Sequence, residues 1–342
     1  MPLEKEASSQ GPAGRNSKNE NERNITPLAR SIPLRFASII PTSGCTLDSL
    51  SLASNSMGTV RDAVIVAAGL GTRMLPTSAY VPKELLPLVD LPVMHHLILE
   101  AKHAGCDRIH IITSPAKDFT SLQENLNATY AMYAKGNDHL NPLDGVEVFF
   151  HTQHEQKGLG HAIMMAKEAI GGPFLVLLGD NILTSNHASL TEFQASTVSK
   201  ELVELFEKHG QPSASVYNVG MDRVSNYGIV SMGDGRIVSI LEKPGQEEAP
   251  STYALCGRYV FAEDTFELLD HYSVEEYGEL QSIALMKHWM DSDCLHAHVL
   301  PDSVSWYDSG LPFEWLKSQI DHALRRPEYA EELQAWLNER LA

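Results

Sequence analysis

An apolar, largely β-branched run from Ala63 to Ala67 empties into Gly69-Leu70-Gly71-Thr72-Arg73, and Pro82-Lys83-Glu84 follows soon after. The run reads as a buried strand. Glycines directly behind a strand let backbone amides approach a ligand closely. Ala68, Gly69, Gly71 and Thr72 would offer main-chain and hydroxyl donors there, and Arg73 and Lys83 would bring positive charge. That combination is suited to holding phosphates. Two familiar phosphate loops are excluded. A Walker loop closes on Gly-Lys-Ser/Thr, which is missing, and a dinucleotide loop needs a third glycine where Met74 stands. Without the two cations, the same glycines would be an ordinary turn.

Further groups with the same potential lie downstream. Gln153 precedes Gly158-Leu159-Gly160-His161-Ala162, whose glycines open an expected helix. A helix start offers free amides and the positive end of a dipole, and a side-chain amide donates and accepts at once. His161 reads as a packing residue. Asp180 ends an apolar strand, with no basic neighbour in sequence, and Asp308 ends the short strand at Trp306-Tyr307. A carboxylate at such a strand end suits a hard cation such as Mg²⁺, although each Asp alone could be a helix cap or turn former. Glu242-Lys243-Pro244 closes another β segment and by itself could be an exposed ion pair.

Strands and helices alternate so as to position these groups, which predicts an α/β fold built on a Rossmann-like, mostly parallel sheet flanked by helices. The patterning places strands at Ala63–Ala67, Arg108–Thr113, Val146–His151 and Phe174–Leu178. Helices are expected at Val93–Ala104, Lys117–Ala134, Gly158–Ile170 and Ser189–Lys208. A β-rich insertion follows, with segments at Ala214–Val219, Gly228–Ser231, Arg236–Lys243 and Ala254–Phe261. Gly233-Asp234-Gly235 turns a hairpin within it. The C-terminal end is helical, at Ala262–Leu269, Tyr277–Met290, Pro312–Leu324 and Glu328–Leu341.

The ordered motifs resemble the sugar-1-phosphate nucleotidyltransferases, and Met74 to Pro92 is most similar to the UTP–glucose-1-phosphate uridylyltransferases among them. The resemblance spans about residues 60 to 325. It implies that Gln153 and Gly158 face uracil and that Asp180 and Asp308 share Mg²⁺. It implies Glu242 on sugar hydroxyls, Lys243 on the sugar phosphate, and Gly228 and Gly257 lining the sugar pocket with Asn181. Arg73, Lys83 and Lys243 would be the catalytic cations, and UTP and a sugar 1-phosphate the partners. The implied assembly is a homo-oligomer, dimer or tetramer. One motif departs: Gly278-Glu279-Leu280-Gln281, expected on the sugar side, continues as Ser282-Ile283-Ala284 rather than Leu-Thr-Asp. Gly179-Asp180-Asn181 is similar to the thymidylyltransferases, so dTTP stays open as the nucleotide, as does a non-catalytic sensor of sugar nucleotides.

Composition sets the boundaries. A formal net charge of −18 argues against nucleic acid or an anionic membrane as a partner. Cys45, Cys106, Cys256 and Cys294 are scattered without metal or disulfide spacing, as in a reducing cytoplasm. No apolar run approaches a membrane span. Residues 1–58 are rich in Ser, Asn, Gly and Pro, with Phe36 their only aromatic, and read as a disordered extension, or as untranslated if Met57 is the start. The folded domain is expected over 59–342.

Overall fold

The structure is a computed structural model that describes residues 59–128, 141–187 and 193–342. The expected N-terminal extension, the end of the helix to Ala134 and the start of the one from Ser189 lie outside the described residues.

The strand expected before the glycine loop is β1 (Asp62–Val66), and it lies at the centre of four parallel strands. The next strands are the short pair β2 (Pro87–Leu88) and β3 (Leu91–Pro92), then β4 (Arg108–Thr113), β5 (Glu147–Thr152) and β6 (Phe174–Leu178). β1 pairs in parallel with β4 and β6, with Ile65 opposite both Ile111 and Leu177, and β4 pairs with β5. Alternate residues serve opposite faces, as the two-residue period of a strand requires. Ala63, Ile65, Leu175 and Leu177 pack on one side, with Leu97 and Ile98 of α1 (Val93–His103). Val64, Phe174 and Val176 pack on the other, with Ala162 and Ile163 of α2 (Gly158–Met164). A sheet covered on both faces has no solvent-facing register, which explains the unbroken apolar runs.

The β-rich segments are not a separate insertion. They continue the same sheet, to nine strands, and mix its direction. The sheet adds β8 (Ser213–Asn218), β9 (Gly228–Gly233), β10 (Arg236–Glu242), β11 (Tyr253–Phe261) and β12 (His296–Val299) in the spatial order β5-β4-β1-β6-β11-β8-β12-β10-β9. β11 runs antiparallel to both β6 and β8, whereas β12 is parallel to β8. Parallel pairing is therefore continuous only from β5 to β6, and beyond β6 it recurs only between β12 and β8. Pairing direction depends on chain routing, which local hydropathy does not encode. β12 escaped the pattern because it is short and its burial opposes its hydropathy, with His296 buried and Val299 exposed. A two-stranded ribbon joins β7 (Asn181–Thr184) to β13 (Ser305–Asp308), with Asp308 opposite Asn181.

Several expected helices are shorter than the pattern implied. α2 stops at Met164, and a separate 3₁₀ turn covers Lys167–Ala169. A π-type turn, Ser121–Asn125, occupies part of the span expected to be an α-helix from Lys117. α3 (Val198–His209) begins well after Ser189 and ends at left-handed Gly210, whose N–H returns to Phe206 O. α4 (Thr265–His271) precedes a single turn at Val274–Tyr277, and Gly278 then interrupts the expected helix before α5 (Gln281–Asp291). α6 (Pro312–Arg325) and α7 (Ala330–Leu341) complete the chain. No helix among the described residues is long and apolar enough to cross a membrane.

Buried histidines make this fold acid-sensitive. His322 on α6 packs against His187, His96 and Tyr307, with Asp321, Arg325 and Arg326 nearby. Burial, then the neighbouring His187 and Arg326, push its pKa down to about 3. Burial alone pushes His95 on α1 to about 4. In the unfolded chain both would titrate near the ordinary value of about 6.5, so between the two limits the unfolded state binds more protons. Stability is therefore full above that value and declines as pH falls toward the folded pKa, by about 1.4 kcal/mol per pH unit for each histidine. Thermal unfolding of wild type and His322→Gln at pH 7, 6, 5 and 4.5 should give a shallower acid slope for the variant.

Candidate functional site

The ends of β1 and β6 meet at the centre of the sheet, where Gly179 N–H donates to Val66 O at 2.9 Å. Open α/β sheets bind ligands outside the carboxyl ends of such central strands. The glycine loop leaves β1 here and winds through three 3₁₀ turns, Thr72–Met74, Thr77–Ala79 and Lys83–Leu85. The last turn buries Lys83 and sets its ammonium against the carboxylate of Asp180. Burial opposes the lysine's charge, but Asp180, Glu84 and Asp308 outweigh it and raise its pKa above the usual value. Burial likewise opposes ionisation of Asp180, and Lys83 overcomes it and holds that carboxyl below the usual range. Asp180 thus has a basic neighbour in space that its sequence surroundings do not reveal.

Asp308 reaches the same place from β13. Ser309 N–H donates to Asp180 O at 2.9 Å, and Gly310 N–H donates to Asp308 Oδ1 at 2.6 Å. Burial first, then the like charge of Asp180, raises the Asp308 pKa. Among the described residues, no group of three or more His, Cys, Asp or Glu side chains is arranged to hold a metal ion. Two adjacent carboxylates with hard oxygen donors still fit a divalent cation of the kind that completes its shell with water and phosphate. Arg73 is exposed, close enough to Asp308 to favour its ionised form, and Thr72 is exposed beside it.

Beside Asp180 opens a cleft whose walls include Ala68, Gly69, Lys83, Gln153, Gly158 and Asp180. Six expected nucleotide-side and metal residues are thus brought together. Gln153 is 2 % exposed. Its Nε2 donates to Gly158 O at 3.3 Å and lies 2.9 Å from His161 Nδ1. His161 therefore orients Gln153 rather than merely packing. With both amide hydrogens directed into the protein, the carbonyl oxygen is the part of Gln153 available to a ligand.

The sugar-side expectations divide. Asn181 is buried, and its Oδ1 accepts from Trp306 Nε1 at 2.8 Å, which leaves its amide nitrogen directed elsewhere, toward Gly257. Gly228 opens β9 directly opposite Glu242 at the end of β10. Lys243 is exposed and pairs with Glu242 at 3.5 Å, and neither lines the cleft. The Glu279 segment, expected on the sugar side, instead forms a wall of the cleft against Gly158.

Sequence reasoning missed two supporting residues. Lys117 Nζ donates to both carboxylate oxygens of Glu84, at 2.7 and 2.6 Å, and to Ala67 O at 2.6 Å. Burial raises the Glu84 pKa and lowers that of Lys117, and each charge stabilises the other. The available signal was position: Lys117 follows the carboxyl end of β4, strand neighbour of β1.

Gly158 has φ +91°, and a Cβ added there would lie 2.7 Å from Glu279 Cα. Backbone cannot yield as a flexible side chain does, so Gly158→Ala should cost roughly 2–4 kcal/mol from strain and overlap. Gly171→Ala, which would meet nothing within 4 Å, is the control. Thermal unfolding should show a lower Tm for the first variant and a nearly unchanged one for the second.

Comparison with known proteins identifies the family. Residues 62–321 match the Nucleotidyl transferase family. The chain is 31 % identical over 294 residues to a UTP–glucose-1-phosphate uridylyltransferase of Streptococcus pyogenes, covering 82 % of this chain and 94 % of that protein. The structure is similar to UTP-bound UGPase from Acinetobacter baumannii, with TM-score 0.68, 26 % identity, and coverage of 82 % of this chain and 99 % of that one. It is also similar to a UDP-glucose pyrophosphorylase complexed with UDP-glucose, with TM-score 0.66, 27 % identity, and coverage of 77 % and 98 %. The chain belongs to the nucleotidyl transferase family.

Proposed function

We propose that this protein transfers the uridylyl group of UTP to glucose 1-phosphate, giving UDP-glucose and pyrophosphate. The observation that carries the proposal is the buried Lys83 against Asp180, with Asp308 alongside, at the mouth of the cleft that Gln153 and Gly158 line. The named activity of the Streptococcus relative and the UTP and UDP-glucose in the two similar structures support the same substrates.

In this reading a phosphate oxygen of glucose 1-phosphate attacks the α-phosphorus of UTP in line. The new P–O bond forms as the bond to the β-phosphate breaks, and its electron pair leaves with pyrophosphate. The nucleophile is already an anion at neutral pH, so no side chain need remove a proton. The difficulty is juxtaposing two polyanions, which charge compensation and positioning overcome. Lys83 would hold the α-phosphate, moving from Asp180 as it does so. Arg73 would hold the departing pyrophosphate, and the loop from Ala68 through Gly69, Gly71 and Thr72 would cradle the triphosphate. Lys243, released from Glu242, would hold the sugar phosphate, while Glu242, Gly228, Asn181 and Gly257 frame the hexose. A divalent cation, Mg²⁺ in this proposal, held by Asp180 and Asp308 would supply charge screening between the two phosphates. Gln153 Oε1 would accept from uracil N3–H, which selects against cytosine because its N3 is an acceptor. Family resemblance supports a homo-oligomeric, cytoplasmic enzyme.

Two outcomes are expected. Lys83→Ala should lower turnover by about 10²–10³-fold while circular dichroism stays that of the folded chain. Chelation with EDTA should abolish pyrophosphate release, and added Mg²⁺ should restore it. The test of substrate crosses UTP and dTTP against the 1-phosphates of glucose, galactose and N-acetylglucosamine and measures pyrophosphate. UTP with glucose 1-phosphate should dominate. A preference for dTTP would reassign the nucleotide, and silence with every pair, with nucleotide still bound, would leave a sensor.

A further inference from the structure

Behind the sugar-side residues lies an ion pair that forms no part of the cleft beside Asp180. Arg258 is 0 % exposed and Glu100, on α1, 1 %. The contact is bidentate: Arg258 Nε donates to Glu100 Oε1 at 2.8 Å, and Nη2 donates to Oε2 at 2.9 Å. Ser199 on α3 donates its hydroxyl to the same carboxylate. The guanidinium has donors to spare. Nη2 also donates to the carbonyl of Asn181 at 2.9 Å, and Nη1 donates to that of Gly257 at 3.1 Å. One buried cation therefore holds the main chain of two residues from separate strands, both assigned above to the hexose.

The route of β11 makes this possible. Its register against β8 shifts between Leu255 and Tyr259, a bulge centred on Cys256-Gly257-Arg258. Gly257 sits at φ +78°, and a Cβ there would lie 3.0 Å from Asn181 Nδ2 and from Leu178 side-chain atoms. Bulges of this kind re-aim side chains beside functional sites. Asn181 is then held twice, by Arg258 at its carbonyl and by Trp306 at its Oδ1. Its Nδ2 is left as the group that faces Gly257. Burying a charge pair is costly, and an apolar pair of similar volume is often as stable. Stability therefore gives little reason for the pair, whereas orientation of both carbonyls does.

We infer that Arg258, braced by Glu100, is a positioning residue that sets the hexose-facing wall at Asn181 and Gly257 and so determines sugar affinity and sugar choice. This rests on the sugar-side reading given above.

The test compares wild type, Arg258→Lys and the apolar double variant Glu100→Leu/Arg258→Met. The double variant leaves no buried unpaired charge and should fold with a Tm near that of wild type. Its KM for glucose 1-phosphate should rise about tenfold or more, because small misplacements of binding groups carry large penalties, while the KM for UTP stays within about twofold. The ratio of kcat/KM for glucose over galactose 1-phosphate should fall. Arg258→Lys keeps the charge without the fork and should lie between the two. Hydrogen exchange reads the positioning without catalysis: segments 181–184 and 254–258 should exchange faster in the double variant. Unchanged sugar KM and unchanged exchange in a folded double variant would overturn the inference, and so would parallel rises in both KM values. If wild type released no pyrophosphate with any sugar 1-phosphate, the functional reading would fail, and exchange would still decide whether Arg258 positions the two loops.

Discussion

Lys83 and Asp180 are 97 residues apart in the chain and in contact in the structure. Most of the site follows from that pair. The buried lysine stays charged because Asp180, with Glu84 and Asp308, compensates its loss of water, and Lys83 in turn favours the ionised form of Asp180. Removing either would leave an uncompensated ion at the centre of the sheet. The pair also draws the loop leaving β1 onto the end of β6. A phosphate or a cation arriving there meets charges that are already in place, and binding exchanges one partner for another rather than creating a new arrangement. Such preorganisation is how a site lowers the cost of bringing anions together.

Two further buried pairs surround the first. Glu84 and Lys117 fix the turn that carries Lys83 and cap the carbonyl of Ala67. Glu100 and Arg258 fix the carbonyls of Asn181 and Gly257 on the opposite side of Asp180. Each pair uses its spare hydrogen-bonding capacity on main-chain carbonyls at a strand end or, for Gly257, at the bulge of β11, where the ladder no longer supplies partners. The polar skeleton therefore runs behind the ligand-facing surface, and the exposed residues, Arg73 and Lys243 among them, remain free to move.

The sheet explains why the two sides of the site differ in character. Four parallel strands with helices on both faces give the nucleotide side a rigid frame. The antiparallel half begins at β11, whose bulge bends the chain at Gly257. The departure at Ser282-Ile283-Ala284 fits this division: the segment before it packs on Gly158, and Gln281 Nε2 donates to Leu269 O rather than to any residue proposed to frame the hexose.

The linear order of motifs was sufficient to single out the glycine loop, Lys83, the two aspartates and Gln153 as candidates that the fold brings to one end of the sheet, and to read the alternation of strands with helices. Those features depend on local chemistry: strand periodicity, glycine conformation, and residue types placed at strand ends. What tertiary structure alone decided depends on neighbours distant in sequence. The direction of β11, the pairing of Lys83 with Asp180, the two acceptors that take both amide hydrogens of Gln153, and the Glu279 wall against Gly158 are all of this kind. Helix ends were misjudged for the same reason, since Gly278 and the turns around Met164 respond to packing rather than to propensity. Arg258 is the clearest case. In sequence it is one residue of Cys-Gly-Arg-Tyr, and only burial among Glu100, Asn181 and Gly257 gives it a role, because a charge without water takes its meaning from the partners the fold supplies.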